Sequence, residues 1–153
     1  MSRVERTMSC SRDAVFAVLL DPRTYPHWLV GARDIRDVDE DWPAPGSAFH
    51  HRVGLIGPLK VSDLSKVIEI DEPERLSLEV RARPFGRGRA TFTLAEGPDV
   101  AVPTTVVVLD EVPIGLLAPT RPLVDPITDR RNRTSLAQLE DHVRTGASHR
   151  APG

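Results

Sequence analysis

The chain has 153 residues, 40% of them apolar and 27% charged, with a formal net charge of −2. That length suits one domain with a useful core, and the balance is that of a globular chain rather than a disordered one. The slight acidic excess argues against a nucleic-acid partner, and the lone Cys10 excludes an intrachain disulfide and a multi-cysteine zinc site.

In chain order, Arg3 to Met8 alternates charged and apolar residues and reads as a first strand. Ser11 has the character of an N-cap, with Asp13 in the first helical turn and Val15, Phe16, Val18 and Leu19 forming an apolar stripe. Asp21-Pro22 ends that helix, because the residue before proline is driven out of the helical region. Tyr25-Pro26-His27-Trp28 reads as an aromatic turn and Ala32 to Val38 as a strand, followed by a proline-bearing loop from Asp39 to Ser47. Strands then dominate. Phe49, His51 and Val53 alternate with His50 and Arg52, and Val61 to Ile70 follows the Leu55-Ile56-Gly57-Pro58 turn. Leu76, Leu78, Val80 and Ala82 alternate with Ser77, Glu79, Arg81 and Arg83, the clearest period of two in the chain. Phe85-Gly86-Arg87-Gly88 reads as a turn into Ala90, Phe92 and Leu94, and Thr104 to Val112 as a central strand rich in β-branched residues. Short strands joined by short turns form an antiparallel meander.

Asp125-Pro126 then predicts a helix start, an N-cap with proline at the first helical position, and Gly146 a stop. The expected domain is 1–146 with a frayed tail, 147–153. Leu136, Leu139 and Val143 share one face of this helix, but its N-terminal continuation is Thr128, Asn132 and Ser135, with Arg131 at the edge. Buried polar groups without partners cost a few kcal/mol each. Two readings stand: the polar half roofs a cavity, or it faces solvent over the open end of the sheet.

The element order and several segments resemble the START-related superfamily of polyketide cyclases, pollen allergens and lipid-transfer domains. The resemblance is carried by Ser11-Arg12-Asp13-Ala14-Val15-Phe16, by Asp21-Pro22 with Tyr25-Pro26-His27-Trp28, by Pro45-Gly46 before Phe49-His50-His51-Arg52-Val53-Gly54, and by Arg130-Arg131-Asn132. It implies an α+β helix-grip fold: a curved seven-stranded antiparallel sheet wrapped around a long C-terminal helix, with short helices between the first two strands. It also implies an internal cavity, with Trp28 at its end. The superfamily shares no invariant catalytic signature, so no catalytic residue transfers with it.

The expected ligand-facing set combines the sheet wall and the helix. On the sheet these are Phe49, His51, Val53, Leu78 and Val80, then Phe92 and Leu94. Trp28 closes one end, and Thr128, Arg131, Asn132 and Ser135 project from the helix. His51 shares parity with Phe49 and Val53 and is the inward histidine of the His50-His51 pair; it serves either as a general acid or base or as a structural histidine. One of Asp110 and Glu111 faces inward, where an acid can pair with Arg131 or simply sit at a solvated rim. Arg81 and Arg83 belong on the solvent face. No G-x-S-x-G elbow, phosphate-binding glycine loop or histidine metal triad is present, and Cys10 reads as a buried thiol.

These features predict a binding module for a small hydrophobic or amphipathic molecule such as a lipid, polyketide-like or aromatic metabolite. The alternative is a polyketide cyclase or dehydratase in which His51, with Arg131 or Asp110, supplies proton transfer and stabilises an enolate. No cofactor, no metal and no nucleic acid are expected. With no apolar leader and no run near the ~20 apolar residues of a membrane span, the chain reads as cytoplasmic and not stably inserted in a membrane, as a monomer or homodimer.

Overall fold

Alternating apolar residues build one face of a sheet, and the caps and prolines between them set where each element ends. The computed structural model describes residues 2–54, 60–82, 86–99, 101–114 and 121–150; side chains are described for all of these except 33–34, 51–54, 60–63, 82, 86, 121–125 and 147–150. Strand β1 (Ser2–Met8) leads into helix α1 (Arg12–Leu19), a 3-10 turn (Pro22–Thr24) and the short helix α2 (Tyr25–Trp28). Six strands follow: β2 (Ala32–Val38), β3 (Ala48–Gly54), β4 (Lys60–Asp71), β5 (Arg75–Ala82), β6 (Gly86–Glu96) and β7 (Thr105–Ile114). Helix α3 (Arg121–Arg150) completes the chain.

The strands form one antiparallel sheet in the order β1-β7-β6-β5-β4-β3-β2. This is the helix-grip α+β fold that the sequence implies. The first strand pairs with the last, Ser2 opposite Glu111 and Met8 opposite Thr105, so β1 and β2 become the two sheet edges. Register shifts interrupt β2 against β3, and another falls between Val67 and Glu69 in β4. Such bulges sharpen twist and bend, which is how a sheet curls around a helix.

Local chemistry accounts for the short helices. The Ser11 hydroxyl accepts from the Ala14 amide and caps α1, and Asp13 sits in its first turn. Asp21 caps the 3-10 turn by accepting from the Arg23 amide. The expected aromatic turn is in fact a turn of helix, because the 3-10 segment feeds straight into Tyr25–Trp28. Gly31, at φ 95°, then swings the chain into β2.

Three boundaries differ from the sequence reading. Gly86, Arg87 and Gly88 lie within β6, opposite Ala82, Arg81 and Val80, rather than in a turn. Helix α3 begins at Arg121 instead of at Asp125, and runs through Gly146 to Arg150. Pro122 is the second start signal, occupying the first turn where no intrahelical N–H is needed. Pro126 therefore falls inside the helix, and Gly146 is carried along with open space beside it.

The concave face and α3 enclose the core. Val4 and Met8 of β1, Leu76 and Leu78 of β5, Phe92 and Leu94 of β6, and Val107 and Leu109 of β7 are buried against Leu136, Leu139 and Val143 of α3. Helix α3 packs chiefly on β1, α1 and α2. A polar clamp fixes it there: Glu140 accepts from Arg6 Nε at 2.9 Å and from the Ser9 amide at 2.8 Å. Burial raises the Glu140 pKa, but these bonds and the charges of Arg6 and Arg144 outweigh it and hold the carboxyl below its ordinary value.

Candidate ligand-binding site

The antiparallel order puts two different ends on the concave face. At one end α1 and α2 cover the sheet. Here Trp28 meets Tyr25 at 4.6 Å and Phe92 at 6.0 Å between ring centroids, while Phe49 meets Tyr25 at 5.0 Å and Trp42 at 5.1 Å. Edge-on and tilted rings of this kind pack densely. Their polar tips are all satisfied within the protein. Tyr25 donates to the Leu19 carbonyl, Trp42 Nε1 to the Leu20 carbonyl, and Trp28 Nε1 to Thr24 Oγ1. Burial pushes the Tyr25 phenol far above its ordinary pKa, so it stays neutral. This end is sealed.

Burial relaxes toward the opposite end of the same strands. Leu76 and Leu78 are buried where Val80 is half-buried; Phe92 and Leu94 are buried where Ala90 and Gly88 are half-buried. Strand β7 runs likewise from buried Val107 and Leu109 to half-buried Glu111 and Pro113. Thr128, on the N-terminal half of α3, is half-buried too. Among the described residues this half-buried end is the mouth of the grip.

The polar half of α3 is anchored at that mouth. Arg131 reaches from the helix to the sheet, its NH2 group donating to both oxygens of Glu111 at 2.6 Å. Asn132 Nδ2 donates to Glu111 Oε2 at 2.8 Å and lies 3.4 Å from Ser2 Oγ, which in turn donates to Asp129. Ser135 Oγ accepts from the Val30 amide at 3.1 Å, tying α3 to the loop after α2. The side chains of Arg131 and Glu111 remain 41% and 24% exposed, and Arg131 Nε is buried with no acceptor among the described residues.

These positions sort the expected site residues. Trp28, Phe49, Leu78, Phe92 and Leu94 lie in the sealed core, while Val80 sits at the mouth. Thr128 and Arg131 are half-buried in the mouth region, whereas Asn132 and Ser135 are buried and bonded within the protein, Asn132 to Glu111 and Ser135 to the Val30 amide. The side chains of His51 and Val53 lie outside the described residues; on the backbone His51 pairs with Ile35 and Asp63. Asp110 is misplaced as an interior acid. It pairs with Arg3 at 3.1 Å on the other sheet face, because parity with the buried Val107 and Leu109 turns Glu111 inward instead. Cys10 is buried, and burial first and the Glu140 charge second raise its thiol pKa, disfavouring the reactive thiolate.

Sequence reasoning missed Ser2, Asp129 and Glu140 altogether. Glu140 had a signal, since it is bracketed by the core residues Leu136, Leu139 and Val143; Ser2 had none. Among the described residues no group of three or more ligating side chains could hold a metal, and no helix is long and apolar enough to cross a membrane.

The model of the family described as polyketide cyclase/dehydrase and lipid transport matches residues 2–144. The chain belongs to that family. Among curated proteins no sequence match was found. Solved structures of similar fold include protein NE0264 from Nitrosomonas europaea, 18% identical with a TM-score of 0.71 over 95% of each chain. Protein CV1439 from Chromobacterium violaceum is 22% identical, with a TM-score of 0.65 over 92% of this chain and 94% of that one. Ara h 8.0201 is 15% identical, with a TM-score of 0.69 over 94% and 96%. At these identities the likeness is one of fold. It places this family member among proteins that share the sheet gripping a terminal helix.

Proposed function

We propose that this family member binds a small hydrophobic or amphipathic molecule at the mouth of the grip, with its apolar part against the sheet wall. The observation that carries this reading is the burial gradient along the concave face. The same strands pass from sealed core at Leu78, Phe92 and Leu109 to half-buried Val80, Ala90 and Glu111 without leaving the face. Apolar walls with a few placed polar groups suit capture and orientation of one such ligand. The family description, which includes lipid transport, agrees with it.

A cyclase or dehydratase requires a free acid or base inside. Asp110 faces away, and Glu111, which replaces it, has its carboxylate engaged by Arg131 and Asn132. Neither of these two acids is thus free for that role, and the His51 side chain lies outside the described residues.

The test is titration with N-phenyl-1-naphthylamine, a neutral apolar dye, beside native mass spectrometry of the purified protein. Saturable one-to-one binding is expected, weakened by about tenfold in Val80→Trp, which fills the mouth, and unchanged in Val102→Trp, on an exposed loop. Absence of saturable dye binding together with absence of any co-purifying small molecule overturns the proposal.

A further inference from the structure

The mouth carries its own charge pattern. Within the hydrogen-bonded group of Ser2, Glu111, Asp129, Arg131 and Asn132 there are two carboxylates against one guanidinium. Arg131 and Glu111 span the gap between helix and sheet as an ion pair, and both remain partly exposed. An ion pair in this position presents a donor edge and an acceptor edge side by side with no net charge of its own.

Resting on the binding reading above, we propose that Glu111 makes this mouth selective for amphiphiles with an uncharged hydroxyl or carbonyl head over those with a carboxylate or an ammonium. A hydroxyl can donate to Glu111 and accept from Arg131 while the pair stays intact, because both side chains are partly exposed. A carboxylate that takes Arg131 competes with Glu111 for the guanidinium and adds a third negative charge to a group that already holds the carboxylates of Glu111 and Asp129. An ammonium that takes Glu111 competes with the guanidinium for the same carboxylate. Either charged head weakens the pair, whereas a neutral head leaves it intact. Specificity of this kind comes as much from what is repelled as from what is attracted.

The experiment compares 1-decanol, decanoate and decylammonium as competitors of N-phenyl-1-naphthylamine, with the wild-type chain, Glu111→Gln and Arg131→Gln. All ratios are taken within one protein. In the wild type, decanol is expected to compete best. Glu111→Gln should raise the affinity for decanoate relative to decanol by about tenfold, since Arg131 loses its internal partner. Arg131→Gln should shift preference the other way, toward decylammonium. A second and independent variant thus covers the case in which one of them fails to fold, as judged by circular dichroism. If the dye and decanol bind but the head-group ratios stay unchanged in whichever variants fold, the selectivity proposal is overturned while the binding reading stands. If neither dye nor decanol binds the wild type, the binding reading itself fails.

Discussion

The two ends of the concave face are built from the same strands yet obey different rules. At the sealed end Tyr25, Trp28, Trp42, Phe49 and Phe92 interlock, and each polar tip on those rings finds a carbonyl or hydroxyl close at hand. At the mouth, Val80, Ala90 and Glu111 are only half-buried, and the polar contacts run from helix to sheet through Arg131, Asn132 and Glu111. The difference teaches where stability and recognition are separated. Aromatic packing at one end holds the fold, which leaves the other end free to carry a half-exposed ion pair of small stabilising value.

The largest way to test that separation is Trp28→Ala. Removing a fully buried indole from the aromatic cluster should cost about 4 kcal/mol, read as a lowered urea midpoint. Val80→Ala at the mouth should cost about 1 kcal/mol or less by the same measurement, because a half-buried valine gives up little packing. Equal losses at the two positions would mean that the mouth is as tightly packed as the core and would dissolve the contrast.

Between these extremes lies the clamp of Glu140 with Arg6 and Ser9. Glu140→Gln should cost about 2 kcal/mol, since a buried carboxylate holding a backbone amide and a guanidinium is replaced by a neutral acceptor. A neutral outcome in urea denaturation would show that α3 is held by Leu136, Leu139 and Val143 alone.

Smaller still is a two-step response to acid. His142 of α3 stacks on His27 of α2 at 5.4 Å; burial first and the His27 charge second keep its pKa below the ordinary 6.5, with Asp21 opposing. A base with a depressed folded pKa is stabilising when neutral, so its contribution is whole above pH 6.5 and declines as the pH falls through the window beneath. Glu140, a carboxyl with a depressed folded pKa, contributes fully above its ordinary 4.5 and loses that contribution below it. Thermal midpoints measured against pH should therefore fall first in the histidine window and again in the carboxylate window. His142→Gln should remove the upper step and Glu140→Gln the lower. A single step that survives both substitutions would place the acid sensitivity elsewhere, including at the mouth.

Much of this architecture is legible in one dimension. The alternation of Leu76, Leu78 and Val80, the Ser11 cap, the span of Ala32–Val38 and the buried stripe of Leu136, Leu139 and Val143 all follow from periods and caps that involve only near neighbours. The polarity of the first half of α3 is legible in the same way, as a pattern needing an explanation. What the pattern could not supply was the partner. Whether Asp110 or Glu111 turns inward depends on a parity counted from Val107, and whether Asn132 and Ser135 meet a ligand or the protein depends on β1 and the loop at Val30. Those partners stand 130 and 105 residues away along the chain. Periodicity assigns a residue to a face, but only the closing of β1 onto β7 beneath α3 decides what that face meets. The sequence alone thus established a sheet gripping a partly polar helix. The tertiary structure decided that half of this polarity secures the fold and that the remainder, around Arg131 and Glu111, stands at the mouth.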